Sequence, residues 1–320
     1  MHRAAAGHQE HVPDAVPGQA LHDIIGKLDH GLPSTDAATL FSEDLEFVLD
    51  RTRHLWPAMA GESLFLTGGT GFFGRWLTET FDYANRRLSL RARRLTLSRR
   101  GLPRPDYWQG DVRSFPFPPG RFRFLIHAAL DAADLTTSTE GTRHVARFTA
   151  QAGVDRWLFT SSGAAFHPDT PLGAAKVEAE RAARTAVIAR CYSFIGPYLP
   201  LDRTFAAGNF LLDKLARRPI RVQGDGSAVR SYLYAAELAV HLWTLLFTGI
   251  PGEVYEVGSR DPVSIAQLAA LFDHPVEFLH RPVPQSVYLP RRGLLAEIPL
   301  ADALARTERW YRARLAIETP

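Results

Sequence analysis

Cysteine is nearly absent: Cys191 is the single one in 320 residues. No intrachain disulfide can form, so a disulfide framework is excluded, and such usage fits a reducing compartment, with the cytoplasm as the expected location. Apolar runs long enough to span a bilayer are missing too. The nearest, "LAVHLWTLLFTGI" from Leu238, is short and carries His241, so it reads as a buried helix. The first residues lack a basic stretch followed by an apolar core, so neither a secretory signal nor a membrane partner is expected. Net charge is small: 37 Lys and Arg against 34 Asp and Glu leave +3, too little to make nucleic acid a partner. The arginines from Arg91 to Arg100 do not change that, because a phosphate-bearing ligand and a solvated helix account for them. Of the 12 histidines, those before Glu62 (His2, His8, His11, His22, His30 and His54) are scattered rather than set at ligand spacing. No metal is expected.

What is present suits a globular chain: 46% of residues are hydrophobic, and the length can bury a full core. Residues 1–40, rich in His, Ala, Gly and Pro with weak periodicity, read as a flexible leader. "SEDLEFVLDRTRHLW" then predicts a helix capped by Ser42, with early acids and apolar residues at helical spacing. From Glu62, short apolar strands such as "SLFLTG", "RRLTLS", "RFLIHAA" and "RWLFTSS" alternate with amphipathic helices. That alternation predicts an α/β fold, a Rossmann-like doubly wound parallel sheet over 41–196. After Gly196 the regularity falls, and residues 197–320 read as a smaller substrate-binding lobe at the carboxyl edge of the sheet.

"LFLTGGTGFFGRWL" runs from strand to helix with Gly68, Gly71 and Gly74 three apart. The first permits a tight turn, the second lets backbone approach a pyrophosphate, and the third lets the helix pack on the strand. The helix amides then face the anion. The next strand, "RRLTLSRR", ends at Ser98 and Arg99, where a carboxylate for the ribose hydroxyls of NAD would normally stand. An arginine there can pair with a 2′-phosphate, so NADP is the expected cofactor, with NAD as the alternative.

From these residues onward, over about 62–315, the chain resembles the extended short-chain dehydrogenase/reductase family, the NAD(P)-dependent epimerases and dehydratases of nucleotide sugars. "TGGTGFFG" (Thr67 to Gly74, with Phe72 and Phe73) matches its T-G-x-x-G-x-x-G, and "GDVR" matches the segment that sets an aspartate, here Asp111 beside Val112, against the adenine. "HAA" (His127, Ala128, Ala129) matches the turn under the cofactor. "EGTRHV" is similar to the family's N-V-x-G-T helix, with Ser138 at the asparagine position; "RCYSFIGPYLP" and "VQGDGSAVRSYLYAAELA" resemble two further motifs.

The resemblance implies a catalytic Ser or Thr after the fifth strand and Tyr-x-x-x-Lys on the following helix. Ser162 and Lys176 occupy the outer positions, and Lys176 is also expected to bind the nicotinamide ribose. Leu172 stands where the tyrosine belongs, so the usual proton-transfer group is absent. His167, in the loop expected over the nicotinamide, is a candidate substitute, since an imidazole side chain can give or take a proton near neutral pH. Tyr192 and Tyr198 are further hydroxyls near the next strand end. Gly163, Ala164 and Ala165 fill the positions where dehydrating members carry an acid, which disfavours dehydration. Asn209 and Arg230 match residues that contact the nucleotide diphosphate. A nucleotide-sugar substrate and a homodimer, through the helices starting near Ser138 and Leu172, are likewise implied. Two readings follow: an oxidoreductase or epimerase with an atypical proton donor, and a catalytically silent dinucleotide-binding protein.

Overall fold

The computed structural model describes residues 35–99, 104–129, 134–201, 205–282 and 286–316. The expected leader therefore lies outside the described residues up to 34, as does Arg100. From there the chain is helical over Thr35–Thr52. The helix thus starts before Ser42, contrary to the expected cap. The reason is burial: Ala37, Phe41, Leu45 and Val48 form one buried stripe, and that stripe begins more than a turn ahead of the serine.

The main sheet contains β1 (Ser63–Thr67), β2 (Arg93–Ser98), β3 (Tyr107–Gln109), β4 (Phe124–His127), β5 (Arg156–Ser162) and β6 (Val187–Cys191). With the strand Val254–Val257 it orders as 254–257, β6, β5, β4, β1, β2, β3, and all pairings are parallel. Register sets Thr67 of β1 beside His127 of β4 and Leu97 of β2. This is the Rossmann-like sheet that the alternation predicts, its strand order reversing at β1.

Each buried strand feeds both faces, as period two requires. Leu64 and Leu66 of β1, Phe124 and Ile126 of β4, and Leu158 of β5 join one core with Trp56, Trp76 and Trp243. Phe65, Leu125, Trp157 and Phe159 point into the other, with Phe115 and Phe148. The 35–52 helix closes the first core, where Phe41 meets Trp76 edge-on at 4.9 Å.

The second lobe does not follow a single cut in the chain. Beyond residue 197 the helix Ala235–Thr248 packs on the main sheet and Val254–Val257 becomes its seventh strand. What remains apart is a set of short pairs: Ile220–Val222 with Val276–Phe278, and Val229–Arg230 between Val263–Ser264 and Val287–Tyr288. Among the described residues no helix is long and apolar enough to cross a membrane.

Candidate active site

The glycines after β1 do what their spacing demands. Gly68 holds φ +74°, and a Cβ there would meet the Ala128 carbonyl oxygen at 2.5 Å. A Cβ on Gly74 would lie 2.0 Å from the Gly68 oxygen and 2.4 Å from the Gly69 Cα, so helix and strand can pack only over glycine. At Gly71 the nearest atom is 3.4 Å away, which leaves room for something approaching the backbone. Gly71 is also the N-cap of the helix Phe72–Arg87 and offers no side-chain cap. The first amides of that helix are thus left for an anion.

Beside the cradle opens a cavity of about 160 Å³ lined by Gly68, Gly71, Ser98, Arg99, Asp111 and Val112, with Ala128 and Ala129 at its floor. These expected cofactor residues therefore converge. Both Asp111 carboxylate oxygens accept from Arg113 at 2.8 Å, and those bonds hold the carboxyl down to about 2. The cavity fits the adenosine end of a dinucleotide: apolar Val112 on one wall, a cation and a hydroxyl at the strand end, open backbone at the phosphate.

His127 and Thr67 play another part than the expected one. The imidazole is fully buried, with Nδ1 2.7 Å from Thr67 Oγ1 and Nε2 3.0 Å from Thr142 Oγ1. Both ring nitrogens are occupied from within, so the side chain ties β1, β4 and the helix Leu135–Gln151 together instead of touching a cofactor. Burial, with Lys176 nearby, pushes its pKa to about 3 and keeps it neutral.

Lys176 is on the helix Pro171–Ala182, which Thr170 caps by accepting from Gly173 N and which Pro171 starts. Its Nζ donates to Ser138 Oγ at 2.9 Å, and burial lowers the amine to about 8. Next to it, Ser161 donates to Glu180 at 2.6 Å, and Arg190 grips the same carboxylate at 2.9 and 2.6 Å. Leu172, half-buried, offers no polar atom. His167 is exposed; its carbonyl accepts from Thr170. No polar contact ties its ring to Ser162. Neither Ser162 nor Lys176 lines the cavity beside the cradle or a larger one that opens across the helix start.

Sequence reasoning missed the group that does meet Ser162. Ser162 Oγ accepts from Ala164 N at 3.2 Å and lies 2.9 Å from the hydroxyl of Tyr288. Tyr288 packs against Tyr192 with ring centroids 5.0 Å apart and planes tilted by 45°, and the Tyr192 hydroxyl donates to Glu256 at 3.0 Å. Burial and that carboxylate drive the Tyr192 phenol far up. Tyr198 instead packs on Phe41 and Trp310.

The larger cavity, about 510 Å³, is lined by Phe72, Phe73 and Tyr192 together with Asn209, Arg221 and Arg230. The two expected phosphate-binding residues thus share one wall. The Arg230 guanidinium donates to Val229 O, Ser286 O and Ser286 Oγ at 2.8, 3.0 and 2.9 Å, which fixes its plane. The two cavities meet the same helix start, the smaller at Gly71 and the larger at Phe72 and Phe73.

A glycine cradle at the carboxyl end of a parallel sheet, with a second cavity across the helix start, defines a protein of Rossmann-like fold. The chain belongs to the NAD dependent epimerase/dehydratase family, whose model matches residues 64–258. A probable dTDP-glucose 4,6-dehydratase of Sinorhizobium fredii is 33% identical over 104 residues, 30% of this chain and 29% of the relative. Mouse dTDP-D-glucose 4,6-dehydratase is 23% identical over 215 residues, 54% of this chain and 60% of its own. The chain thus spans less than two thirds of these relatives. Among solved structures, an epimerase of Methanothermobacter thermautotrophicus superposes with TM-score 0.68 at 19% identity, covering 82% of this chain and 95% of its own. UDP-glucose 4-epimerase of Thermotoga maritima, solved with UDP-glucose, gives 0.66 at 17% identity, covering 78% and 98%. At such identities the likeness is one of fold.

Proposed function

We propose that the protein is a nicotinamide-dependent enzyme that moves hydride at a ring carbon of a nucleotide sugar, as a reductase or an epimerase. The observation that carries this reading is the pair of cavities at one helix start, one suited to a dinucleotide and one walled by Asn209 and Arg230. The bound nicotinamide would supply or accept hydride. Ser162 would polarise the reacting oxygen, Lys176 would hold the nicotinamide ribose after leaving Ser138, and Arg230 would receive the diphosphate with a guanidinium already fixed in plane. The apolar turn Gly163–Phe166 gives no acid for expelling water, so dehydration, the reaction named for the curated relatives, is not the one proposed.

NADP is the proposed cofactor, because Arg99 and Ser98 line the cavity where a ribose carboxylate would otherwise be. In a direct titration NADP should bind more tightly than NAD, and Arg99→Asp should reverse the order; tighter NAD binding to the wild type sinks this choice. The activity is tested by incubating the protein with a panel of nucleotide sugars and their keto forms, each cofactor supplied separately, and analysing products by mass spectrometry. A new sugar nucleotide or consumed cofactor supports the enzyme. A second reading, a silent binding protein, is favoured by Leu172 and by the closed Lys176–Ser138 contact; cofactor binding without any conversion would establish it. The homodimer is proposed through the helices Leu135–Gln151 and Pro171–Ala182, and a single species of monomer mass in light scattering would remove it.

A further inference from the structure

The centre has lost the family's phenol at position 172, yet a phenol is in contact with its serine. Tyr288 lies 126 residues beyond Ser162 and reaches it at 2.9 Å. Its strand, Val287–Tyr288, runs parallel to Val229–Arg230 in the register that pairs Tyr288 with Arg230. The residue two before it, Ser286, lines the larger cavity and accepts from Arg230. One short strand therefore supplies both the wall that orients Arg230 and the hydroxyl that meets Ser162.

We infer that Tyr288 is the proton source of this active centre, acting through Ser162 in the reduction of a carbonyl on the bound sugar. This rests on the hydride-transfer reading above. A bound reduced nicotinamide would supply hydride to the carbonyl carbon; as the C=O π bond breaks, the oxygen takes the Ser162 proton. Ser162 Oγ takes the Tyr288 proton, and the phenolate recovers one from water.

Three features suit Tyr288 to this task. Its proton has two acceptors within reach, Ser162 Oγ and the Cys191 carbonyl at 3.3 Å, so it can turn from one to the other. Its ring is held against Tyr192, whose hydroxyl is already committed to Glu256 and cannot compete. Burial raises the Tyr288 phenol above its ordinary range, so at neutral pH it carries its proton. It remains an acid toward an alkoxide but is a poor base. The protonated phenol is thus the form that reduction of a keto sugar requires.

The experiment compares wild type, Tyr288→Phe and Ser162→Ala on keto-sugar nucleotides with reduced cofactor. The phenylalanine keeps the ring against Tyr192, so the fold and cofactor affinity should be unchanged while kcat falls by about 10²–10⁴-fold and KM holds. A spacer role would move KM and thermal stability instead. With ¹³Cζ-labelled tyrosine, the resonance lost in Tyr288→Phe should shift in Ser162→Ala. The inference is overturned if an active wild type keeps its kcat in Tyr288→Phe, or if that resonance does not respond to the loss of Ser162. A wild type that binds cofactor but reduces no member of the panel removes the hydride-transfer reading, and Tyr288's role with it.

Discussion

At Gly71 and Gly74 the same substitution should weaken cofactor binding alike but differ in its effect on stability. An alanine methyl at Gly74 would sit inside the Gly68 carbonyl and the Gly69 Cα, both backbone atoms that cannot step aside. Overpacking of that kind costs about 1–3 kcal/mol, so Gly74→Ala should melt earlier in denaturant and bind cofactor weakly. At Gly71 the methyl meets nothing closer than 3.4 Å, so Gly71→Ala should melt like wild type and still lose the cofactor, since the methyl stands where the pyrophosphate approaches. Calorimetry beside denaturant melts separates the two. Equal stability losses at both positions would mean that neither glycine is kept for a ligand. This part of the site is legible because every requirement lies within one string, "TGGTGFFG", between a strand and a helix. Tyr288 is not legible for the converse reason. It reaches Ser162 by tertiary packing from a two-residue strand after a Pro-rich stretch, where no periodicity or spacing announces it. His127 shows a third case, in which the motif is present but the side chain works in the core.

At the scale of elements, the helix Thr35–Thr52 was visible in the sequence but its anchor was not. Asp44, on the buried side of that helix, accepts from Tyr234 Oη at 2.6 Å and pairs with Arg306. Burial outweighs both partners and raises the carboxyl from 3.8 to about 6. A carboxyl whose folded pKa lies above its unfolded one adds stability below the unfolded value, and that contribution is lost as pH rises through the folded value. The window is thus pH 4 to 6. Wild type should gain stability relative to Asp44→Asn as pH falls from 7 to 4, by at most about 3 kcal/mol, from roughly two pKa units at 1.36 kcal/mol each. Urea melts of both proteins at several pH values give the difference directly; a difference that stays flat with pH would mean the carboxyl is already ionised at its ordinary pKa. The helix bounds themselves illustrate why such anchors escape sequence reading. The helix already includes the buried stripe from Ala37, so Ser42 falls within it and not at its start.

Across the whole molecule, the alternation of strands and helices predicted the sheet, but the seam between lobes comes from residues far apart in sequence. Phe166, on the turn after β5, lies between two guanidinium groups, Arg190 of β6 at 4.4 Å and Arg291 at 4.2 Å, the latter three residues beyond Tyr288. The Arg291 amide also donates to Glu256, the partner of Tyr192. This arrangement pins the segment that carries Tyr288 to the edge of the main sheet, where Glu256 lies on the outermost strand. Each cation–π contact contributes about 0.5–2 kcal/mol, and only the Arg291 contact crosses the seam. Phe166→Leu keeps an apolar side chain and removes the π face, so NADP(H) affinity should hold while affinity for a nucleotide sugar drops by about tenfold, the equivalent of 1.4 kcal/mol. Calorimetric titration of each ligand on the same sample reads both. Equal weakening of the two would place Phe166 in general stability, whereas selective loss of the sugar nucleotide would show that the segment carrying Tyr288 must be pinned before the larger cavity can hold a substrate.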